Sequence, residues 1–456
     1  MICFPLVCPF KSSKRFRWVF CQLETLRHCL PPSVRRTLNE LPDSLDETYE
    51  GILKEIKKPN RDNARRLLQC LVVAIRPLRV DELAEVLAVD FDDVEGIPKL
   101  NPNWRWEDQE HALLSSCSSL IAIVDTDDAR VVQFSHFSVK EFLTSPRLAT
   151  PSRETSYYYI VLEPAHMILA QVCLGVLLQL DDRVEQNDVE AGFPLAGYAA
   201  RHWVSHAQFE NASSGLRTAM EYLFDLDKPY FKAWLRIHDM DLQIHMGETL
   251  YFFTPSGKLE AAPLYYAALC GFHDLTKDFI VKYPLQVNAD GGYYVRPLVA
   301  ALAGRHFLTA DLLRLNGAGP YVRGDRQTTP LHDVAYRGDL EMVHKLIDYG
   351  VDINAVDLVG WTPLYWASQG SYPRCIDAIR LLLEHGADIN ARGNHDLIAL
   401  HCASELGRLE IVRVLLEHGA NVEAEDREGK TAYQLALARG HHNITEVLSE
   451  YGAKGS

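Results

Sequence analysis

The C-terminal half of the chain alternates short apolar-periodic runs with glycine stops. Between Thr329 and Asn354, Thr329 is placed to cap a helix, Pro330 suits its first position, and Gly338 ends it. A second run, with apolar residues at Leu340, Val343, Leu346 and Ile347, closes at Gly350, where a left-handed cap suits glycine. The pattern predicts two short antiparallel helices, neither able to bury its apolar face alone. Copies must stack.

The copies are present. The proline of Thr-Pro-Leu, or the residue aligned with it, stands at Pro263, Pro297, Pro330, Pro363, Ala399 and Ala432, with steps of 34, 33, 33, 36 and 33. Closing glycines recur independently at Gly317, Gly350, Gly386, Gly419 and Gly452. The words TPLHDVA, TPLYWAS, HGADIN and HGANVE at a period near 33 make residues 259–456 resemble the ankyrin-repeat family. Six units are expected, at 263–296, 297–329, 330–362, 363–398, 399–431 and 432–456, the first two degenerate. The resemblance implies stacked helix pairs, hairpin fingers between them and a concave recognition face. The single step of 36 predicts a bulge at Ser371–Cys375, between the helices of the fourth unit.

Upstream, Ser44 and Glu47 have capping-box spacing, and helices are expected from there to Lys58, from Asp62 to Ile75 and over 81–89. A Pro- and Trp-bearing loop, Asn101–Trp106, follows. Runs at Leu120–Val124 and Val131–Phe134 flank an acidic turn and predict a hairpin, closed by a helix over Ser138–Thr144. Helices with a hairpin wing predict a winged-helix domain over 41–150. Residues 151–258 read as a helical connector with no chemistry, through helices at Glu163–Leu180, Phe193–Ala207, Gly215–Phe224 and Tyr230–His238. The expected fold class is mainly α: a winged-helix-like domain with a small β-hairpin, a helical connector, then an ankyrin-repeat α-solenoid.

The words LPDSLDETYEGIL, RPLRVDELAEVLAVD, CSSLIAIV, SHFSVKEFL and FPLAGYAARHWVSHAQF resemble the region downstream of the ATPase module in fungal NACHT/STAND (NLR-like) ankyrin-repeat proteins. FRWVFCQLETLRHCL, within residues 1–40, resembles the end of that ATPase. The phosphate loop of such ATPases, G-x-x-x-x-G-K-[ST], is not found here. Gly429-Lys430-Thr431 is the one G-K-T, and its context DREGKTAYQLA is a finger followed by a helix start. Either the chain is a truncated relative or its assigned start is wrong.

Composition narrows the function further. A net charge of −15 argues against a general nucleic-acid binder, and apolar and charged fractions of 47% and 23% are those of a soluble protein. Ten cysteines without a C-x-x-C suggest a reducing, cytoplasmic or nuclear setting. The apolar start MICFPLVCPF precedes its basic cluster, the reverse of a signal peptide, and reads as a solvent-shy tail. No membrane role is expected. The helix over 81–89 carries Asp81, Glu82 and Glu85, with Asp90 after it, so its acidic face should repel DNA phosphates.

The histidines read as structural. By resemblance His136 sits where related switch ATPases contact the β-phosphate of bound ADP, but without that ATPase it reads as a hydrogen-bonded residue at a strand–helix junction. His385 and His418 are placed to bond helix C-terminal carbonyls, and His332 and His401 match the family's inter-repeat hydrogen-bonding position. No catalytic, cofactor-binding or metal-binding motif is found, so no enzyme, no cofactor and no small-molecule ligand is expected. The resemblance puts the variable positions on the concave side. These include Asp325, Arg326, Tyr336, Arg337, Leu358, Val359 and Trp361, then Asn394, His395, Leu397, Arg427, Glu428 and Lys430. Trp361 is the expected aromatic anchor for a partner protein, with packing against Tyr365 or the next finger as its alternative. The expected function is a protein–protein interaction adaptor, or a regulatory fragment of a nucleotide-switched signalling ATPase acting with a full-length partner.

Overall fold

A computed structural model of the chain describes residues 44–91, 97–127, 129–149, 154–181, 189, 191–210, 212–238, 240, 261–319 and 328–453. The expected ATPase remnant over 1–40, and the finger positions Asp325 and Arg326, lie outside the described residues. The chain divides into two compact units, Met1–Asp239 and Met240–Ser456.

The first unit opens with helix α1, Leu45–Glu55, where Ser44 Oγ accepts from the Glu47 amide at 3.2 Å. Helix α2, Arg61–Val73, follows and buries Ala64, Leu67, Leu68 and Val72. The expected helix over 81–89 is shorter than its apolar pattern. Helix α3 spans Val80–Glu85, and a 3-10 turn, Val86–Ala88, then hands the chain to a strand. The reason is strand pairing: strand β2, Val89–Asp90, lies antiparallel to β3, Lys99–Leu100, with Val89 opposite Leu100 and both buried.

The wing is present. Strands β4, Ile121–Asp125, and β5, Arg130–Phe134, pair from Ile121–Phe134 to Asp125–Arg130. A further strand, β1 at Leu78–Arg79, joins the far edge of β5. Two residues are too few to show alternation, which is why the pattern did not reveal it. Helices α4, Gln109–Cys117, and α5, Phe137–Leu143, complete the winged-helix portion.

The stretch read as a connector packs into this same unit. Helix α6, Leu162–Leu177, is buried along most of its length, lying against α2 on one side and α7, Ala196–Ala207, on the other. Helices α8, Arg217–Leu223, and α9, Tyr230–Ile237, add an aromatic core in which Trp203 and Trp234 meet edge-on at 5.4 Å. Bonds fasten the stretch to the winged helix, among them the Ile75 amide donating to Tyr198 Oη at 3.2 Å and Arg79 Nη2 donating to the Pro194 carbonyl at 3.2 Å. Among the described residues no helix is long and apolar enough to cross a membrane.

The second unit is a stack of helix pairs. They are α10, Pro263–Leu269, with α11, His273–Lys282; α12, Pro297–Ala303, with α13, Phe307–Leu315; and α14, Pro330–Arg337, with α15, Leu340–Asp348. Then come α16, Pro363–Gln369, with α17, Cys375–Glu384; α18, Ala399–Glu405, with α19, Leu409–Glu417; and α20, Ala432–Ala438, with α21, His442–Glu450. The degenerate first units form the same pairs because Leu264, Leu275, Leu298 and Leu313 keep the core positions and are fully or nearly fully buried. Gly338 turns between α14 and α15 at φ 68°, and a Cβ there would come 2.6 Å from the Arg374 carbonyl carbon. The long step is accommodated as expected at Ser371–Arg374, which are exposed. Cys375 is not part of the bulge: it is buried as the first residue of α17, its Sγ on the Tyr336 carbonyl at 3.1 Å.

Candidate protein-binding face of the repeats

Of three successive fingers, at 355–361, 391–397 and 424–430, the first and third are built by the same local chemistry. Asp357 Oδ1 accepts from the amides of Val359 (3.0 Å) and Trp361 (2.9 Å), and Asp426 Oδ1 does the same for Glu428 (2.9 Å) and Lys430 (2.8 Å). A short carboxylate suits such a turn because it replaces the missing backbone acceptor. The repeat histidines hold the first and third of these fingers to the preceding helix pair. His332 Nδ1 accepts from the Thr329 amide at 3.0 Å, so its Nε2–H donates to the Trp361 carbonyl at 3.0 Å. His401 repeats this, from the Ile398 amide to the Ala424 carbonyl. Burial holds both imidazoles below their ordinary pKa, which favours the neutral tautomer this geometry needs.

The finger tips are joined into one row. The Asn394 amide donates to the Val359 carbonyl at 2.8 Å, and the Arg427 amide to the His395 carbonyl at 2.8 Å. Further back, Asn354 Oδ1 accepts from the Asp388 amide and Asn390 Oδ1 from the Asn421 amide, each at 2.8 Å. The side chains of this row are therefore held in a fixed order.

Leu358 (61% exposed), Val359 (41%), Asn394, His395, Arg427, Glu428 and Lys430 all stand in the open on these fingers. Leu397 is half-buried. Tyr336 and Arg337 lie at the end of α14, half-buried, with Tyr336 edge-on to Trp366 and Arg337 paired to Asp333 at 2.9 Å. Lys430 Nζ pairs with Glu428 at 2.8 Å in a finger whose Thr431 stands at the start of α20, so the G-K-T word is the end of a finger and a helix cap. Val356, exposed beside Leu358, was missed. Its signal lay in the alignment: Val356, Leu358 and Val359 correspond to Arg392, Asn394 and His395, and to Glu425, Arg427 and Glu428. One finger is apolar where its sisters are polar.

Trp361 occupies a different setting from an open anchor. Its indole stacks on Tyr365, ring centroids 4.8 Å apart and planes 16° from parallel, and its edge meets the backbone of Gly393. It is half-buried, and its Nε1 is enclosed without a hydrogen-bond partner among the described residues. A large flat ring at a finger base finds its neighbours inside the stack, so the exposed apolar surface falls to Leu358 instead.

Elsewhere the structural readings of the histidines hold. His385 and His418 place Nδ1 at 2.9 and 2.8 Å from the carbonyls of Leu381 and Val414, one turn earlier. His136 caps α5, its Nδ1 accepting from the Ser138 amide at 3.2 Å. The acidic face expected on the helix over 81–89 needs correction. Glu82 and Glu85 are buried, Glu82 paired with Arg76 through 2.6 and 2.8 Å contacts and Glu85 paired with Arg105. They are buried against half-exposed guanidinium groups and present nothing to a phosphate. Among the described residues no group of three or more His, Cys, Asp or Glu could hold a metal ion.

Sequence comparison agrees with this division. Residues 298–393 and 392–456 match the ankyrin-repeat family, and residues 52–152 match the winged helix domain of GPI inositol-deacylase. The chain is 31% identical over 296 residues to azaphilone pigments biosynthesis cluster protein L of Monascus ruber, covering 62% of this chain and 61% of that protein. It is 44% identical over 61 residues to protein phosphatase 1 regulatory subunit 27 of Homo sapiens, covering 13% of this chain and 38% of the relative. Over 84 residues it is 44% identical to ankyrin repeat protein nuc-2 of Neurospora crassa, covering 18% and 8%. The chain thus spans less than two thirds of the length of each of these relatives. Its two similarities are separate in sequence: a winged helix like that of GPI inositol-deacylase, and after it an array of ankyrin repeats.

Proposed function

We propose that this protein is a non-enzymatic adaptor that binds another protein through the finger row of its repeats. The observation that carries the reading is the run Val356, Leu358 and Val359, apolar and exposed on a finger whose neighbours are polar at every aligned position. Apolar side chains in the open on a pre-ordered backbone cost little backbone ordering entropy on binding and gain from losing water. The flanking residues His395, Arg427 and Glu428 supply a polar rim, the usual surround of an interface core. The likeness to ankyrin relatives, one of them named as a regulatory subunit of a phosphatase, supports an interaction role. Affinity purification of partners with the full chain, compared with a Leu358→Asp/Val359→Asp variant, tests the reading. Partners retained equally by both would refute it.

A second reading rests on the winged-helix match at 52–152 and the resemblance of that region to NACHT-type proteins. In it the chain acts as a regulatory piece of a nucleotide-switched ATPase, beside a partner that supplies the nucleotide site. ATP hydrolysis by a reconstituted pair, altered by adding this chain, would favour that reading over the first.

A further inference from the structure

We propose that the loop Asn101–Asp108 of the first unit is a second docking site, for an extended, arginine-bearing peptide segment of a partner protein. Among the described tryptophans, Trp203, Trp234 and Trp366 are buried and Trp361 is half-covered. Trp104 and Trp106 are 47% and 54% exposed. Two large aromatic rings one residue apart in open solvent are a surface that a monomeric fold has no reason to keep.

Their exposure does not come from a loose loop. Arg105, between them, turns inward to pair with the buried Glu85, and its guanidinium lies 5.4 Å from the centroid of the Phe193 ring. Glu85 is fixed from its other oxygen, which accepts from the Leu195 amide at 3.1 Å. Arg105 follows the 3-10 turn Pro102–Trp104 and is held inward, while Trp104 and Trp106 on either side of it stay exposed. Asn101 accepts from the amides of Asn103 (3.1 Å) and Trp104 (3.0 Å), and its own amide donates to the Ala88 carbonyl at 2.8 Å. At the far end Asp108 Oδ1 accepts from the His111 amide at 2.9 Å as α4 begins. The loop is tied at both ends and in the middle.

The charge around the rings selects the partner. Glu107 and Asp108 are exposed and follow Trp106 directly. Carboxylates beside aromatic faces favour a cation, and the planar guanidinium of arginine stacks on such faces better than the ammonium of lysine. The same carboxylates oppose an anionic membrane or a nucleic-acid backbone. This site is independent of the repeat fingers, so the two proposals stand or fall separately.

The test uses the full chain and a fluorescein-labelled peptide carrying two arginines flanked by leucines, with arginine→lysine and arginine→glutamate analogues, read by fluorescence polarisation. The arginine peptide should bind best and the glutamate analogue worst. Trp104→Ala/Trp106→Ala, and separately Glu107→Arg, should each weaken binding about tenfold, with melting temperatures unchanged and Leu358→Asp without effect. Indifference of binding to both loop variants would overturn the proposal. So would equal binding of the arginine and glutamate peptides, or binding to phosphatidylserine vesicles that the tryptophan variant abolishes.

Discussion

Gly393 lies so close to the indole of Trp361 that a Cβ at 393 would overlap Trp361 Cδ1 and come within 3.1 Å of the Gly360 carbonyl oxygen. The aligned positions in the neighbouring fingers are Asp357 and Asp426, whose carboxylates organise their turns. The middle finger has given up that carboxylate to make room for the ring. Its turn instead runs through His395 and Asp396, both at φ 59°, a conformation unusual for residues other than glycine.

Gly393→Ala is therefore expected to destabilise the array by about 1–3 kcal/mol, an overpacking cost. Most of that loss should disappear in a Trp361→Ala background, because the two residues share one space. Urea denaturation of the single and double variants checks this. Additive losses would show that the ring and the glycine are not coupled.

The bulge makes a second prediction. Deleting Ser371, Tyr372 and Pro373 would leave two residues between α16 and α17, as Gly338 and Asp339 stand between α14 and α15. The melting temperature should hardly move, since a shorter exposed loop closes at little entropic difference. Cys375→Asp, which puts a charge where the buried Sγ meets the Tyr336 carbonyl, should lower it markedly. Thermal melts of the two variants separate loop from core.

These two cases show what the sequence disclosed. A period of 33 residues located all six helix pairs, because each repeat buries its face only against the next copy and the pattern is enforced at every step. The step of 36 located the bulge, yet placed its end one residue too far, since nothing in the word SYPRC says that the thiol reaches the preceding repeat. Trp361 takes the alternative setting, packed on Tyr365 and on the next finger, where its neighbour Gly393 lies 32 positions away and has no side chain to mark the contact. Glu82 and Glu85 looked like a charged face because periodicity reports polarity and not pairing with Arg76 and Arg105.

Acid should weaken the first unit through a histidine chain. The Tyr198 hydroxyl accepts from Ile75 and so donates to His206 Nε2 at 2.9 Å, leaving His206 Nδ1–H to donate to His166 Nδ1 at 2.8 Å. Burial first, then the neighbouring His166 and His202, lower the His206 pKa from an ordinary 6.5 to about 3. Arg76, over the Tyr198 ring, adds a further positive charge nearby. The unfolded chain binds this proton below about pH 6.5 and the folded one resists it, so stability is complete above that pH and falls as pH drops towards about 3. Urea midpoints measured from neutral to mildly acid pH should show this slope, and His206→Leu should flatten it. An unchanged slope would assign the acid sensitivity elsewhere.

Nucleotide turnover is expected to be absent from the purified chain, because its one G-K-T word lies in a finger with Lys430 paired to Glu428. An ATPase assay alongside a Lys430→Ala control measures this. Hydrolysis above a mock purification that tracks the protein through successive columns would contradict it.

The most direct measurement of the central claim is calorimetric titration of a purified partner into three forms of the chain. Leu358→Asp should keep the wild-type melting temperature and weaken binding by about 2 kcal/mol or more, as loss of an interface core residue does. Leu382→Ala, fully buried in α17, should instead lose about 2–5 kcal/mol of stability and serves as the folding control. Full affinity in a folded Leu358→Asp protein would contradict the account and remove the finger row as the binding face.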